Sequence, residues 1–358
     1  MKKYERVMAW IREGIESGRI IPGEKLPSEP ELMQRFAVSR NSVRQAIYEL
    51  AKQKLVESRH GVGSFCLRRT QSKSMLIGLV CLRITSYIFP RIIQGCNKVI
   101  QKNGYSLLMN ESWYDLKQER STLVALREKR VDGIILTPVQ AAGRNNNADL
   151  VKEIEDDGIA VVLLDNEYEG YDFSSVVLDD IQAGRTAAKL LWDCGHRQIG
   201  VLYSANYRPK VLRRNGVLEF LREQNLSPSD RWIIGIEGQT SAFRTYGQIR
   251  ELFGMPGSLP TAMICSSDDE ALMFIRQAQR RGINVPGDIS VVSFDNSEPG
   301  RFSHPRLTTM DHPSEYMGEL AATLLLNRIY HPETPIRSRN VIGSVVVNRD
   351  SVRPISAG

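Results

Sequence analysis

Two sets of residues in this chain have types and spacing that could do chemistry. The first is Arg40, Asn41, Arg44 and Gln45, which share one face near the start of a predicted helix. Guanidinium forks match guanine edges and phosphate oxygens, and carboxamides match adenine edges, so this face suits the major groove of DNA. The second set closes apolar runs further along: Arg83, Asp165, Ser267, Asp268 and Asp295. Carboxylates accept from pairs of hydroxyls and arginine donates in a fork, a combination chemically reasonable for a sugar. There is no EF-hand spacing, HExxH, phosphate-binding GxxxxGK[ST] or GxSxG, and His196 in "GHRQI" has no partner nucleophile, so no enzyme is expected. The acidic "SSDDE" at 266–270 and the pair Asp179 and Asp180 read as helix caps.

The first set needs a helix on a small scaffold. In "YERVMAWIREGIESGRI", Val7, Ile11 and Ile15 recur at i, i+4 and i+8, the stripe of an amphipathic helix that Gly18 ends. Ser28 and Glu31 form a capping box with Pro30 in the first turn, so a short helix runs through Leu32 to about Phe36. Ser39 caps a third helix whose Val43, Ile47 and Leu50 face inward. "LVESRHGVGSFCLRR" then offers two extended runs about a turn with Gly61 and Gly63, a hairpin with Arg59 and His60 at its tip. Three helices and a basic hairpin in this order predict a winged helix-turn-helix.

The second set needs a larger body. At 358 residues the chain exceeds one ordinary core, and 42% hydrophobic with 25% charged residues is the balance of a soluble globular protein. "MLIGLVCL", "YSLLMN", "DGIILTP" and "AVVLLD" are strand-like, with helices near 88–103, 115–130 and 147–157; "QIGVLYS", "WIIGIE", "TAMICSS" and "ISVVSFD" repeat the scheme, with helices near 181–194, 210–225, 241–253 and 269–281. Strands apolar on both faces and alternating with helices predict an α/β body of two Rossmann-like lobes, whose ligands sit beyond the carboxyl ends of the strands. The expected division is a head over 1–68, a polar linker over 69–74 and a body over 75–358.

Charge follows this division. Residues 1–74 hold 15 of the 47 Lys and Arg against 8 of the 41 Asp and Glu, or +7, which leaves 32 against 33, or −1, for the rest. A basic head on a near-neutral body suggests a polyanion reader joined to a domain with another task. No apolar run approaches the ~20 residues of a membrane span, and the N-terminus has no secretory signal, so a cytoplasmic, nucleoid-associated protein is expected. The five cysteines form no CxxC pair or metal-like cluster with the histidines, so reduced packing thiols and neither metal nor cofactor are expected.

The stretch "GEKLPSEPELMQRFAVSRNSVRQAIYELAKQKLVESRHGVGSF" resembles the GntR-family winged-helix domain. That resemblance implies DNA contacts at Ser39, Arg40, Asn41, Ser42 and Arg44, and at His60 and Gly61 in the wing beside Arg59. Asn41 stands where the family more often has Thr. The body resembles the ligand-binding domain of the lactose-repressor family, a type I periplasmic-binding-protein fold, through "VDGIILTP", "DCGHRQIGVLYS", "TAMICSSDDEALM", "GINVPGDISVVSFDN" and "PRLTTMDHPSEYMGELAATLL". The two together resemble the arabinose-repressor type of regulator, which implies a carbohydrate-responsive repressor. Family ligand positions fall on Asp165, Arg213, Ser267, Asp268 and Asp295; Phe89, Trp113, Tyr168, Tyr207 and Phe243 are aromatics able to stack on a pyranose.

The expectation is therefore a homodimeric repressor that binds a palindromic double-stranded operator and responds to a small-molecule effector, a carbohydrate. The alternatives are a purine, a sugar phosphate or another metabolite as effector, and a soluble sugar-binding receptor of the same fold. "VVVNRDSVRPISAG" carries no leucine heptad, which argues for a dimer over a tetramer.

Overall fold

The computed structural model describes residues 3–21, 23–53, 55–59, 62–67, 73–85, 88–139, 146–226, 232–236, 247, 249–250, 253–254, 259–332 and 337–355. Contacts divide the chain into two units, Met1–Ser74 and Met75–Gly358. Residues 68–72, which include most of the expected linker, and most of the helix expected over 241–253 lie outside the described residues.

In the first unit, α1 (Lys3–Glu16), α2 (Glu29–Phe36) and α3 (Arg40–Lys52) precede an antiparallel hairpin of β1 (Val56–Arg59) and β2 (Gly63–Cys66). Val7, Ile11 and Ile15 are fully buried against Leu32, Val43 and Leu50, so the helical stripe becomes the core. The Ser28–Glu31 capping box starts α2, and Ala37 at φ 51° ends it in a left-handed turn. Ser39 then accepts from Ser42 N and starts α3. Lys25 bridges Phe65 at the hairpin's free edge.

The second unit holds two sheets. The first has the order β13-β7-β6-β5-β3-β4, with every neighbouring pair parallel. Its strands are β3 (Leu76–Cys81), β4 (Ser106–Glu111), β5 (Gly133–Leu136), β6 (Ala160–Leu164), β7 (Ser175–Leu178) and β13 (Arg339–Ile342). On one face its core takes residues from α4 (Phe89–Lys102) and α11 (Ser314–Tyr330), and on the other from α5 (Leu116–Glu128) and α6 (Ala148–Asp156). The second sheet has the order β14-β12-β11-β10-β8-β9, parallel except for β14 against β12. It consists of β8 (Ile199–Ser204), β9 (Ile233–Ile236), β10 (Ala262–Cys265), β11 (Ser290–Asp295), β12 (Thr308–Asp311) and β14 (Val346–Val347). Its helices are α7 (Asp180–Asp193), α8 (Arg208–Glu223), α9 (Asp268–Gln279) and α10 (Glu298–Phe302).

The chain therefore passes between the sheets after β7, after β12 and after β13. In the second lobe α7 and α8 cross at Gly184 and Gly216. A Cβ on Gly184 would lie 2.0 Å from the Arg213 carbonyl oxygen, and one on Gly216 2.0 Å from that of Ile181. Only hydrogen allows the two backbones to come this close.

Glu119, at the start of α5, is a fully buried carboxylate in the first lobe. It accepts from Val139 N (2.5 Å), Asn147 Nδ2 (2.8 Å) and Tyr168 Oη (2.7 Å), yet burial outweighs these bonds and pushes its carboxyl to about 7. The folded state then holds a proton that the unfolded chain has released between about pH 4.5 and 7, so stability should fall as pH rises through that window. Glu119→Gln should flatten this segment of the pH–stability curve, by up to about 3 kcal/mol between pH 5 and 8. Denaturant titrations at the two pH values check it, and an unchanged slope would contradict the assignment.

Candidate DNA-reading face and effector cleft

On the head, Arg40, Asn41 and Arg44 are exposed along the first turns of α3. The Nε atoms of Arg40 and Arg44 donate to the two oxygens of Glu29, at 2.7 and 2.9 Å. The hydrogen bonds from Arg40 and then Arg44 hold the Glu29 carboxyl below its ordinary range. Ser39 is engaged as the cap, with its hydroxyl 3.0 Å from that of Ser42. Arg59 ends β1, donates to Glu57 and lies over the Phe65 ring at 4.8 Å. His60 and Gly61 lie outside the described residues. The face thus presents two guanidinium groups one helical turn apart and, next to the first, a carboxamide, the chemistry of groove and phosphate contact.

In the body, the carboxyl ends of the strands carry a continuous polar chain that joins the lobes. Asp165 follows β6 and is buried; its Oδ2 accepts from Tyr207 Oη of the second lobe at 2.5 Å, and its Oδ1 lies 3.0 Å from His312 Nε2. His312 follows β12 on a crossing segment, with Nδ1 2.7 Å from Ser314 Oγ. Burial pushes Asp165 up, but the His312 hydrogen bond and charge, followed by the Tyr207 hydroxyl, outweigh it and hold the carboxyl below its usual value. His312 moves the opposite way: burial pushes it down, and its bond to Asp165 raises it above an ordinary imidazole.

Arg213, on α8, is buried at the head of the second lobe. Nε donates to Asp180 Oδ1, and Nη1 to Asp295 Oδ1 and the Ser266 carbonyl, each at 2.8 Å. Asp180 sits on the first crossing segment, and burial raises its carboxyl to about 6 against the pull of Arg213. Beside this fork, Lys210 Nζ donates to Glu270 Oε1 (2.9 Å) and Ser267 Oγ (3.1 Å). Asp269 is exposed, yet protein surrounds it closely enough that burial, opposed by Lys210, pushes its carboxyl to about 6. A carboxylate open to water but hemmed in by protein is what a cleft produces.

The backbone at the cleft edge is strained. Asp165 (φ 66°), Asp295 (φ 100°), Trp113 (φ 52°) and Tyr114 (φ 59°) all adopt positive φ where the strands end. For residues other than glycine this costs roughly 1–3 kcal/mol each and persists where the surroundings force it, commonly at ligand sites.

The structure brings together Asp165, Arg213, Ser267 and Asp295 of the expected set. Arg83 is exposed at the end of β3, with Nε 3.3 Å from Thr85 Oγ1. Two expectations are corrected. Phe89 is 1% exposed within the first-lobe core, so its ring has no face left for a ligand. Asp268 is fully buried, and its oxygens are taken by Ser293 Oγ, Thr309 Oγ1 and Ser297 N; the open carboxylate is its neighbour Asp269. Among the aromatics, Tyr168 packs in the core on Glu119, Tyr207 bonds Asp165 through its hydroxyl, Trp113 is exposed, and Phe243 lies outside the described residues. Tyr114, edge-on to Tyr207 at 6.2 Å, was not anticipated, nor were Lys210, Asp269 and His312. Asp179 caps α7 as expected, whereas Asp180 is not a cap but the partner of Arg213. The signal for His312 is its place directly after β12, whose four residues "TTMD" do not stand out as a strand.

A winged helix-turn-helix head and a body of two parallel-sheet lobes joined by a buried polar network are the build of a DNA-binding transcriptional regulator. Residues 3–66 match the bacterial regulatory proteins of the gntR family, and residues 173–352 the periplasmic binding protein-like domain. The arabinose metabolism transcriptional repressor of Halalkalibacterium halodurans is 31% identical over 334 residues, covering 91% of this chain and 89% of that protein. The HTH-type transcriptional repressor PurR of Klebsiella pneumoniae is 29% identical over 319 residues, 87% of each chain. A transcriptional regulator CelR–cellobiose complex superposes with a TM-score of 0.70 at 22% identity, covering 88% of this chain and 91% of that one, which shows a shared fold. The chain belongs to the family of transcriptional repressors that join a gntR-type DNA-binding head to a periplasmic-binding-protein-like body. Its relatives are regulators and not enzymes. No helix among the described residues is long and apolar enough to cross a membrane.

Proposed function

We propose that this repressor acts in the cytoplasm, on the nucleoid, as a homodimer on a palindromic operator, and that a neutral carbohydrate in the interlobe cleft controls its affinity for DNA. The polar chain Tyr207–Asp165–His312 beside the Arg213 fork carries the reading, because its groups come from both lobes and from two of the three crossing segments. A ligand that bonds these groups favours one lobe arrangement, and release of DNA follows only as far as the two arrangements differ in affinity for the effector.

The charges favour hydroxyls over phosphate. Arg213 is already paired with Asp180 and Asp295, Lys210 with Glu270, and Arg208 lies 3.9 Å from Glu167. A phosphate would have to break such pairs, whereas hydroxyls can add to carboxylate lone pairs and to the Nη2 edge of Arg213. The relatives named for arabinose metabolism support the same class. In this role Asp165, Arg213, Ser267, Asp295 and Asp269 bind hydroxyls, with Arg83, Trp113 and Tyr114 at the rim. A purine effector is the second reading, supported by the relative named as PurR.

Thermal unfolding against a panel of mono- and disaccharides, sugar phosphates and nucleobases tests the class. A neutral sugar at ~100 times its dissociation constant should add about 2.7 kcal/mol of stability. Stabilisation by sugar phosphates or nucleobases alone would overturn the proposal. For the head, Arg44→Ala should weaken binding to a duplex selected by the wild-type protein by about tenfold or more and leave effector binding unchanged. Unchanged duplex affinity would remove Arg44 from the groove. The homodimer is checked by sedimentation of the full chain.

A further inference from the structure

On the reading that α3 enters a DNA groove, we propose that Glu29 is a positioning residue for operator recognition, holding Arg40 and Arg44 in register and trading overall DNA affinity for sequence discrimination. Its carboxylate lies on α2 but gives one oxygen to each arginine of α3. Both bonds use Nε, which leaves the terminal Nη1 and Nη2 edge of each guanidinium pointing onward, the edge that pairs with guanine O6 and N7.

Three physical arguments converge. Arg40 and Arg44 are 64% and 60% exposed along their side chains, and a long exposed side chain held by nothing gives up rotamer freedom when it binds. They also sit four residues apart on one helix, where like charges repel, and a carboxylate between them offsets that repulsion. Finally, an acidic group beside phosphates opposes binding to any DNA, so Glu29 costs affinity wherever the head lands. The helix does not need it as a cap, because Ser28 and Glu31 already form the capping box. What Glu29 supplies is the shared geometry of the two forks. A misaligned fork still finds a phosphate, but it does not find two base atoms at once.

The test uses the full chain, a duplex selected by the wild-type protein from a random-sequence pool, and a scrambled duplex of the same composition. Glu29→Gln keeps the size and loses the charge. The variant should bind the scrambled duplex about two- to fivefold tighter and the selected one about twofold more weakly, so that the ratio of the two affinities falls about four- to tenfold. In an Arg40→Ala/Arg44→Ala background the same substitution should leave the ratio unchanged. If Glu29→Gln moves both affinities together, up or down, so that the ratio stays within twofold, the carboxylate acts by charge or through folding alone and the proposal is overturned. If Arg44→Ala weakens the selected duplex while Glu29→Gln spares the ratio, the positioning role fails by itself. If Arg44→Ala spares the selected duplex, the groove reading on which it rests fails too.

Discussion

Arg213→Ala should cost the second lobe about 3–5 kcal/mol and abolish the effector response, because it strips a buried cation from two buried carboxylates at once. The loss should depend on pH in a definite direction. Asp180 already has its carboxyl raised to about 6 by burial, and Arg213 is the group that pulls it down. Without the guanidinium that carboxyl rises further, so the folded variant holds a proton that the unfolded chain gives up. Its stability is then retained at low pH and lost as pH increases, so the deficit against wild type should be larger at pH 8 than at pH 5. Chemical denaturation of both proteins at the two pH values measures this, and equal stability at pH 8 would show that the fork is not what holds Asp180 and Asp295. Arg213→Lys keeps the charge without the fork and should retain more stability than the alanine variant, yet still lose the effector response, since one ammonium cannot span Asp180, Asp295 and a ligand hydroxyl.

The fork also shows why half of the cleft could be read in advance and half could not. Asp165, Ser267 and Asp295 close the apolar runs "AVVLLD", "TAMICSS" and "ISVVSFD", so the runs placed them at the ligand edge of a parallel sheet. The head was legible for a similar reason, since Ser28, Glu31 and Ser39 declare their helices locally and Val7, Ile11 and Ile15 fix the buried face. β7, β12, β13 and β14 are two to four residues long and lack the longer apolar run that extends β5 and β10, and all four flank the crossings between lobes. His312 is hidden with β12, and Asp180 reads locally as a cap because its partner is 33 residues away on another helix. The Asp268 error has the same origin. Adjacent residues at a helix start differ in direction by about 100°, and which of Asp268 and Asp269 turns inward is set by Ser293, Ser297 and Thr309 from other elements.

The separation of α7 and α8 is what sets the distance from Asp180 to Arg213, so Gly216→Val should damage the cleft without touching any residue in it. A side chain at position 216 meets the Ile181 carbonyl at 2.0 Å from its first carbon, one residue beyond Asp180, and that atom belongs to backbone and cannot rotate away. The helices must move apart by more than an ångström, which stretches the 2.8 Å bond between Arg213 Nε and Asp180 Oδ1 beyond hydrogen-bonding range. Overpacking of a close crossing costs typically 1–3 kcal/mol, and a backbone collision belongs at the upper end, about 3 kcal/mol. Gly216→Val should accordingly lower the midpoint of thermal unfolding and weaken the effector at least tenfold, while the separate head keeps its contacts with DNA. Gly216→Ala should do the same to a smaller extent. A Gly216→Val protein with wild-type stability and wild-type effector affinity would mean that the helix crossing does not set the geometry of the Arg213 fork.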